Sequence, residues 1–149
     1  MYCICAIAAP DAEMPIAINS DQANFDHKHG IATYTGRVTV KQGTRDLHAN
    51  KLVIQRDESN KIKVMIATGN PAVFSSQANT AKPGSGKANI IKYYPQANKV
   101  DLFENASLTQ NGDTVTGPQL TYNFVTEELQ SKHTQKERTT VILQPKRVP

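Results

Sequence analysis

The chain has 149 residues, one domain's worth, with 38% apolar residues and no Trp, so its core must come from Val, Ile, Leu and Ala. A formal net charge of +4 favours anionic partners without choosing among nucleic acid, anionic lipid and acidic glycan. Both cysteines, Cys3 and Cys5, sit at the start, which leaves the rest without a disulfide frame or a cysteine metal centre, and no apolar run reaches the length of a membrane-spanning helix.

The opening "MYCICAIAAPDAE" is apolar to Ala9 and then polar. It resembles the end of an export signal, with Ala6-Ile7-Ala8 as an A-x-A-like cleavage site, although the basic n-region is missing. Residues 1–12 are therefore read as a signal-peptide remnant or a disordered leader, 13–145 as one β domain, and 146–149 as a short basic tail.

From there the apolar residues recur every second position. Ile16 and Ile18 open the series, followed by Ala32, Tyr34, Val38 and Val40, then Leu47 and Ala49. Ile62, Val64 and Ile66 are next, with Lys61 and Lys63 between; Val100, Leu102, Ala106, Leu108, Leu120, Tyr122, Val141 and Leu143 complete the run. A period of two marks strands with one covered face and one wet face. Turn chemistry punctuates them: "HKHG" (27–30), "KQGT" (41–44), "RDESNK" (56–61), "TGNP" (68–71), "KPGSGK" (82–87), "YPQANK" (94–99), "QNGD" (110–113) and "TGPQ" (116–119). No segment carries a helical period. The edge strands are expected near 15–20 and 138–143.

A fixed offset of 68 residues superposes the two halves. Ala23 falls on Ile91, Phe25 on Tyr93, Tyr34 on Leu102, Val40 on Leu108, Leu47 on Val115 and Leu52 on Leu120. An even offset preserves strand parity, so inward positions meet inward positions. The expected architecture is two similar β units, each covering the other's apolar edge.

The segments "PIAINSDQANFD", "ATYTGRVTVKQGT", "LHANKLVI", "TGNPAVF", "KANIIKYY" and "GPQLTYNF", in this order, resemble the OstA-like family of periplasmic lipopolysaccharide-transport proteins over roughly residues 15–145. Arg37, Arg45 and Glu104 (where the first copy has Gly36) depart from the pattern. The resemblance implies an all-β, open, twisted β-jelly roll of two antiparallel sheets. It implies an apolar gutter for the acyl chains of lipid A, and a place in the periplasm as a bridge between inner- and outer-membrane transport components. It also implies head-to-tail self-association through strand addition, with neither cofactor nor catalysis. Gutter residues expected on this basis are Ile16, Ile18, Tyr34, Val38, Val40, Phe74, Ile91, Tyr93, Leu102, Leu108 and Leu120. Lys132, Lys136 and Arg138 are the expected contacts to anionic groups.

Other signals point elsewhere and are weak. "GSGK" (84–87) lacks Gly at 81 and Ser or Thr at 88, so it is read as a loop rather than a phosphate cradle. His27 and His29 beside Asp26 lack a third metal ligand in the sequence nearby. No Ser lies in a nucleophile elbow, and the carboxylates Asp57-Glu58 and Glu127-Glu128 are read as solvated. Nucleic acid would call for aromatics interleaved with the C-terminal cations, and there are none. The rival reading is a small β-barrel that binds an anionic polymer, nucleic acid or glycan.

Overall fold

The structure is a computed structural model, and it describes residues 14–76, 84–110, 112–126, 128–132 and 138–144. The expected leader, Lys136 and the tail from 145 lie outside these residues. Among the described residues are ten strands: β1 (Ala17–Asn19), β2 (Gln22–Asp26), β3 (Ile31–Gln42), β4 (Arg45–Arg56), β5 (Ile62–Ser76), β6 (Gly84–Tyr94), β7 (Lys99–Gln110), β8 (Asp113–Asn123), β9 (Leu129–Lys132) and β10 (Thr140–Ile142). They form one antiparallel sheet in the order β1-β3-β4-β5-β6-β7-β8-β10, with β2 also on β3 and β9 also on β8. The order is linear and does not close.

Every pairing between long strands breaks register at one shared level: at Thr35/Val38, His48/Lys51, Thr68/Ala72, Lys87/Ile90 and Phe103/Ala106. The breaks lie side by side, so a line of bulges crosses the sheet and each long strand bends there. Backbone at these breaks takes φ of 82° at Gly36, 45° at Arg37, 63° at Glu104 and 55° at Asn105. The result is two arms that face one another. One arm carries β2, β9 and the strand halves 31–35, 51–56, 62–68, 90–94, 99–103 and 119–123; the second carries β1, β10 and the complementary halves.

The duplication is visible in the backbone. β3 and β7 start and end 68 residues apart, and β2 falls on the second half of β6 by the same step. The positive-φ residues obey it as well: Gly30 and Asn98, Gly36 and Glu104, Arg37 and Asn105. Glu104 thus stands in the left-handed region where the first copy uses glycine.

Three sequence expectations are corrected. "TGNP" and "TGPQ" are not hairpin turns; they lie inside β5 and β8, at the bend. Glycine and proline interrupt a strand wherever it bulges, not only where it reverses. "GSGK" is not a loop but the start of β6, with Gly84 and Gly86 in ordinary extended backbone. In β5 the inward pair is Met65 and Ala67, not Val64 and Ile66, because Met65 lines up with Ile54 and Tyr93. Val-Met-Ile-Ala is apolar at four successive positions, so a period of two fits either parity and only the neighbours decide. Ile62 still packs on the core, because a second irregularity between Gln55 and Arg56 restores its side.

Candidate functional site

The pairing registers stack the inward residues into rows that cross the sheet. Beside the bend the second arm has Val38, Ala49, Ala72, Ala88, Ala106 and Gly117. Apart from Val38 these are alanine and glycine, and small side chains let the arms approach most closely where they join. The facing row on the first arm is Tyr34, Leu52, Ala67, Ile91, Leu102 and Leu120. Leu52, Leu102 and Leu120 are fully buried and fill the apex.

Farther from the bend the arms diverge. Here the second arm presents Ile18, Val40, Leu47, Phe74, Gly86, Leu108, Val115 and Val141 in one line, running from β1 to β10. The first arm answers with Ala32, Ile54, Met65, Tyr93, Val100, Tyr122 and Leu129. Between them lies a void of about 90 Å³ whose walls include Ile16, Val40, Phe74, Ile91, Tyr93 and Phe124. It adjoins a wider recess of about 320 Å³ that shares Ile16, Gln42 and Tyr93 and reaches Lys61, Ile62 and Gln96. A small-molecule site commonly spans roughly 300 Å³ or more. The inner void is therefore narrow.

All eleven residues expected in the gutter fall on this inner face. Val38, Val40, Ile91, Leu102, Leu108 and Leu120 are buried in the core cluster, and Ile16, Ile18, Tyr34, Phe74 and Tyr93 are half-buried against it. They divide by depth. Ile16, Val40, Phe74, Ile91 and Tyr93 border the void, whereas Leu102 and Leu120 pack at the apex. Phe74 lies across Gly86, where a Cβ would overlap the ring. Glycine in the opposite strand is what seats that ring.

The expected cations lie elsewhere. Lys132 is aligned with Gln119 and Phe103, on the outer face of the first arm, and Arg138 is exposed ahead of β10. The cation that borders the void is Arg45. Strand parity with Leu47 and Ala49 was the available signal, since it puts Arg45 on the inward side. Its Nη1 donates to Tyr93 Oη at 3.1 Å, and its Cζ stands 5.2 Å from the centre of the Phe124 ring. Phe124 packs edge-on to Tyr93 and Tyr122, with ring centres 5.8 and 5.3 Å away. Gln110 Nε2 donates to Tyr122 Oη at 3.3 Å. Both hydrogen bonds run from one arm to the other.

The remaining polar clusters are local. His29 Nδ1 lies 2.8 Å from Asp26 Oδ2, and His27 stacks on Phe25. Arg37 grips Asp21 with Nε and Nη2, which holds the Asp21 carboxyl below its ordinary value. Asp101, buried on the outer face, accepts from Thr121 Oγ1 at 2.8 Å. Among the described residues no three His, Cys, Asp or Glu side chains gather in a way that could hold a metal ion.

Residues 17–128 match the family model described as LptA/(LptD N-terminal domain) LPS transport protein. The lipopolysaccharide export system protein LptA of Haemophilus influenzae is 34% identical over 137 residues, covering 91% of this chain and 80% of that one. LptA of Escherichia coli K12 is 33% identical over 136 residues, covering 91% and 74%. The crystal structure of LptH, described as the LptA-homologous periplasmic component of the lipopolysaccharide transport device of Pseudomonas aeruginosa, superposes with a TM-score of 0.84 at 26% identity, covering 91% of this chain and 99% of that one. A bent, unclosed sheet of this topology and relatives at this level of identity agree, and the chain belongs to the LptA/LptD N-terminal domain family of LPS transport proteins.

Proposed function

We propose that this protein is a periplasmic lipopolysaccharide carrier whose trough takes the acyl chains of lipid A. Protomers join head to tail between the inner- and outer-membrane transport components, so that the trough continues from one to the next. The observation that carries the reading is the uninterrupted inner row from Ile18 on β1 to Val141 on β10, which ends at two edges the sheet leaves unclosed. An aliphatic lining suits a conduit. Each methylene taken from water contributes about 0.8 kcal/mol, without the directional bonds that would hold a cargo in one place. Free edges expose backbone N–H and C=O groups for strand addition.

Site-specific photo-crosslinking in cells tests it. A photoreactive residue at Phe74, which borders the void, should capture lipopolysaccharide. The same residue at Thr39, aligned with Asn19 and His48 on the outer face, should not. Equal capture at both positions, or none at Phe74, defeats the trough.

A further inference from the structure

Arg45 is a cation in a wall that is mostly aliphatic and aromatic, with Gln42 and Asp46 as its other polar members. It is aligned with Gln42 and Ser76, the row farthest from the bend on the second arm, and it reaches Tyr93 and Phe124 on the first. Farther along the same row, Gln110 makes the parallel crossing to Tyr122. The two bonds span the mouth of the trough. Since the void behind them measures about 90 Å³, an acyl chain enters only when the arms part, and parting stretches the Arg45–Tyr93 bond. The guanidinium then loses a neutral hydroxyl and a ring face as partners. A phosphate is a stronger one, because its oxygens accept two parallel N–H groups with charge assistance. Lys61 borders the adjoining recess, which adds a second cation at this end.

We propose that Arg45 is a specificity-determining residue of the trough. It holds the rim closed through Tyr93 and Phe124, and as the arms part it transfers to a phosphate on the head of an acylated glycolipid. The inference rests on the trough reading above and adds the class of head group selected. The phosphate comes on a lipid and not free in solution, because a hydrated anion gains too little from one guanidinium to enter an apolar mouth, whereas burial of the attached acyl chains drives entry.

The test uses the full chain and two probes, an acylated diglucosamine bearing phosphate and the same molecule with its phosphate removed. The wild type should bind the phosphorylated lipid about tenfold more tightly, the size of a charge-assisted pair. Arg45→Met should bring the ratio of the two affinities close to one, and Arg45→Lys should leave an intermediate ratio. In the wild type, the Arg45 guanidinium NMR signals should move with either lipid, since both part the arms, and should stay in place with inorganic phosphate. The phosphorylated and the dephosphorylated lipid should bring them to different bound positions; identical bound positions with the two lipids overturn the phosphate contact. That measurement decides the matter even where Arg45→Met fails to fold. Unchanged preference in Arg45→Met, equal wild-type affinities, or a shift with inorganic phosphate alone overturns the role of Arg45 and leaves the trough standing. Failure of the wild type to bind either lipid overturns the trough, and Arg45's role with it.

Discussion

A single missing methyl group shapes the trough at Gly86. The ring of Phe74 occupies the space a side chain there would fill, and Phe74 in turn borders the void. Gly86→Ala should drive the ring off its seat and into the trough, at an overpacking cost of about 1–3 kcal/mol. Gly84 stands two residues earlier on the same strand, yet a Cβ there meets nothing nearer than the Thr109 carbonyl oxygen at 3.9 Å. Gly84→Ala should therefore change stability by less than about 0.5 kcal/mol. Urea unfolding of the two variants is the check, and equal midpoints would refute this account of Phe74. The apex makes a second contrast. Leu102 is fully buried, and Leu102→Ala should cost about 2–5 kcal/mol, read in the same experiment. Periodicity marks Leu102, which alternates with Val100, whereas Phe74 follows from the family resemblance and Gly86 carries no inward signal. Neither periodicity nor resemblance ranks inward residues by depth. Depth depends on distance from the bend, which comes from the alignment of bulges across several strands.

At the level of the strand, the same residue types serve two purposes. A cluster of Asp, Ser and Asn does reverse the chain at 57–60, where Asp57 accepts from the N–H groups of Ser59 and Lys61 and from the Gln96 side chain. Gly69 and Pro71, by contrast, bend β5 without ending it. Local sequence does not separate the two cases, since both need a residue free of ordinary strand pairing. What separates them is whether the partner strand also breaks register at that level. The offset of 68 carried that information, because β3 and β7 bulge at corresponding positions. The Asp57 turn yields a pH prediction. Its hydrogen bonds, that from Gln96 foremost, hold the Asp57 carboxyl below the ordinary 3.8. As pH falls the unfolded chain takes up this proton first, so the stabilisation is complete above about pH 4 and is lost on descending through the lowered folded value. Asp57→Asn should be less stable than the wild type at pH 7, and the gap in unfolding midpoint should narrow progressively below pH 4. A gap of constant size across that range would show that the charge of Asp57 plays no part.

For the whole molecule the decisive feature is that the sheet ends twice. β1 lies at one edge of the second arm and β10 at the other. In and just after β10, Val141, Ile142 and Leu143 are 52%, 54% and 67% exposed, an apolar strip on an edge that pairs with no further strand among the described residues. Such an edge is a template for another chain, and no charged residue interrupts 139–144 to discourage it. The two edges differ in sequence, so a contact between β10 of one protomer and β1 of the next is heterologous. Repeated, it need not close into a ring. The distribution of species should therefore broaden steadily with concentration rather than stop at a dimer. A chain ending at Lys136 lacks β10. It keeps β8 and the central core rows, so it should remain folded by circular dichroism while sedimenting as a monomer at every concentration tested. A single dimer boundary in the wild type would replace the head-to-tail contact with a closed one. Persistence of the full series in the shortened chain would move the contact away from β10 altogether.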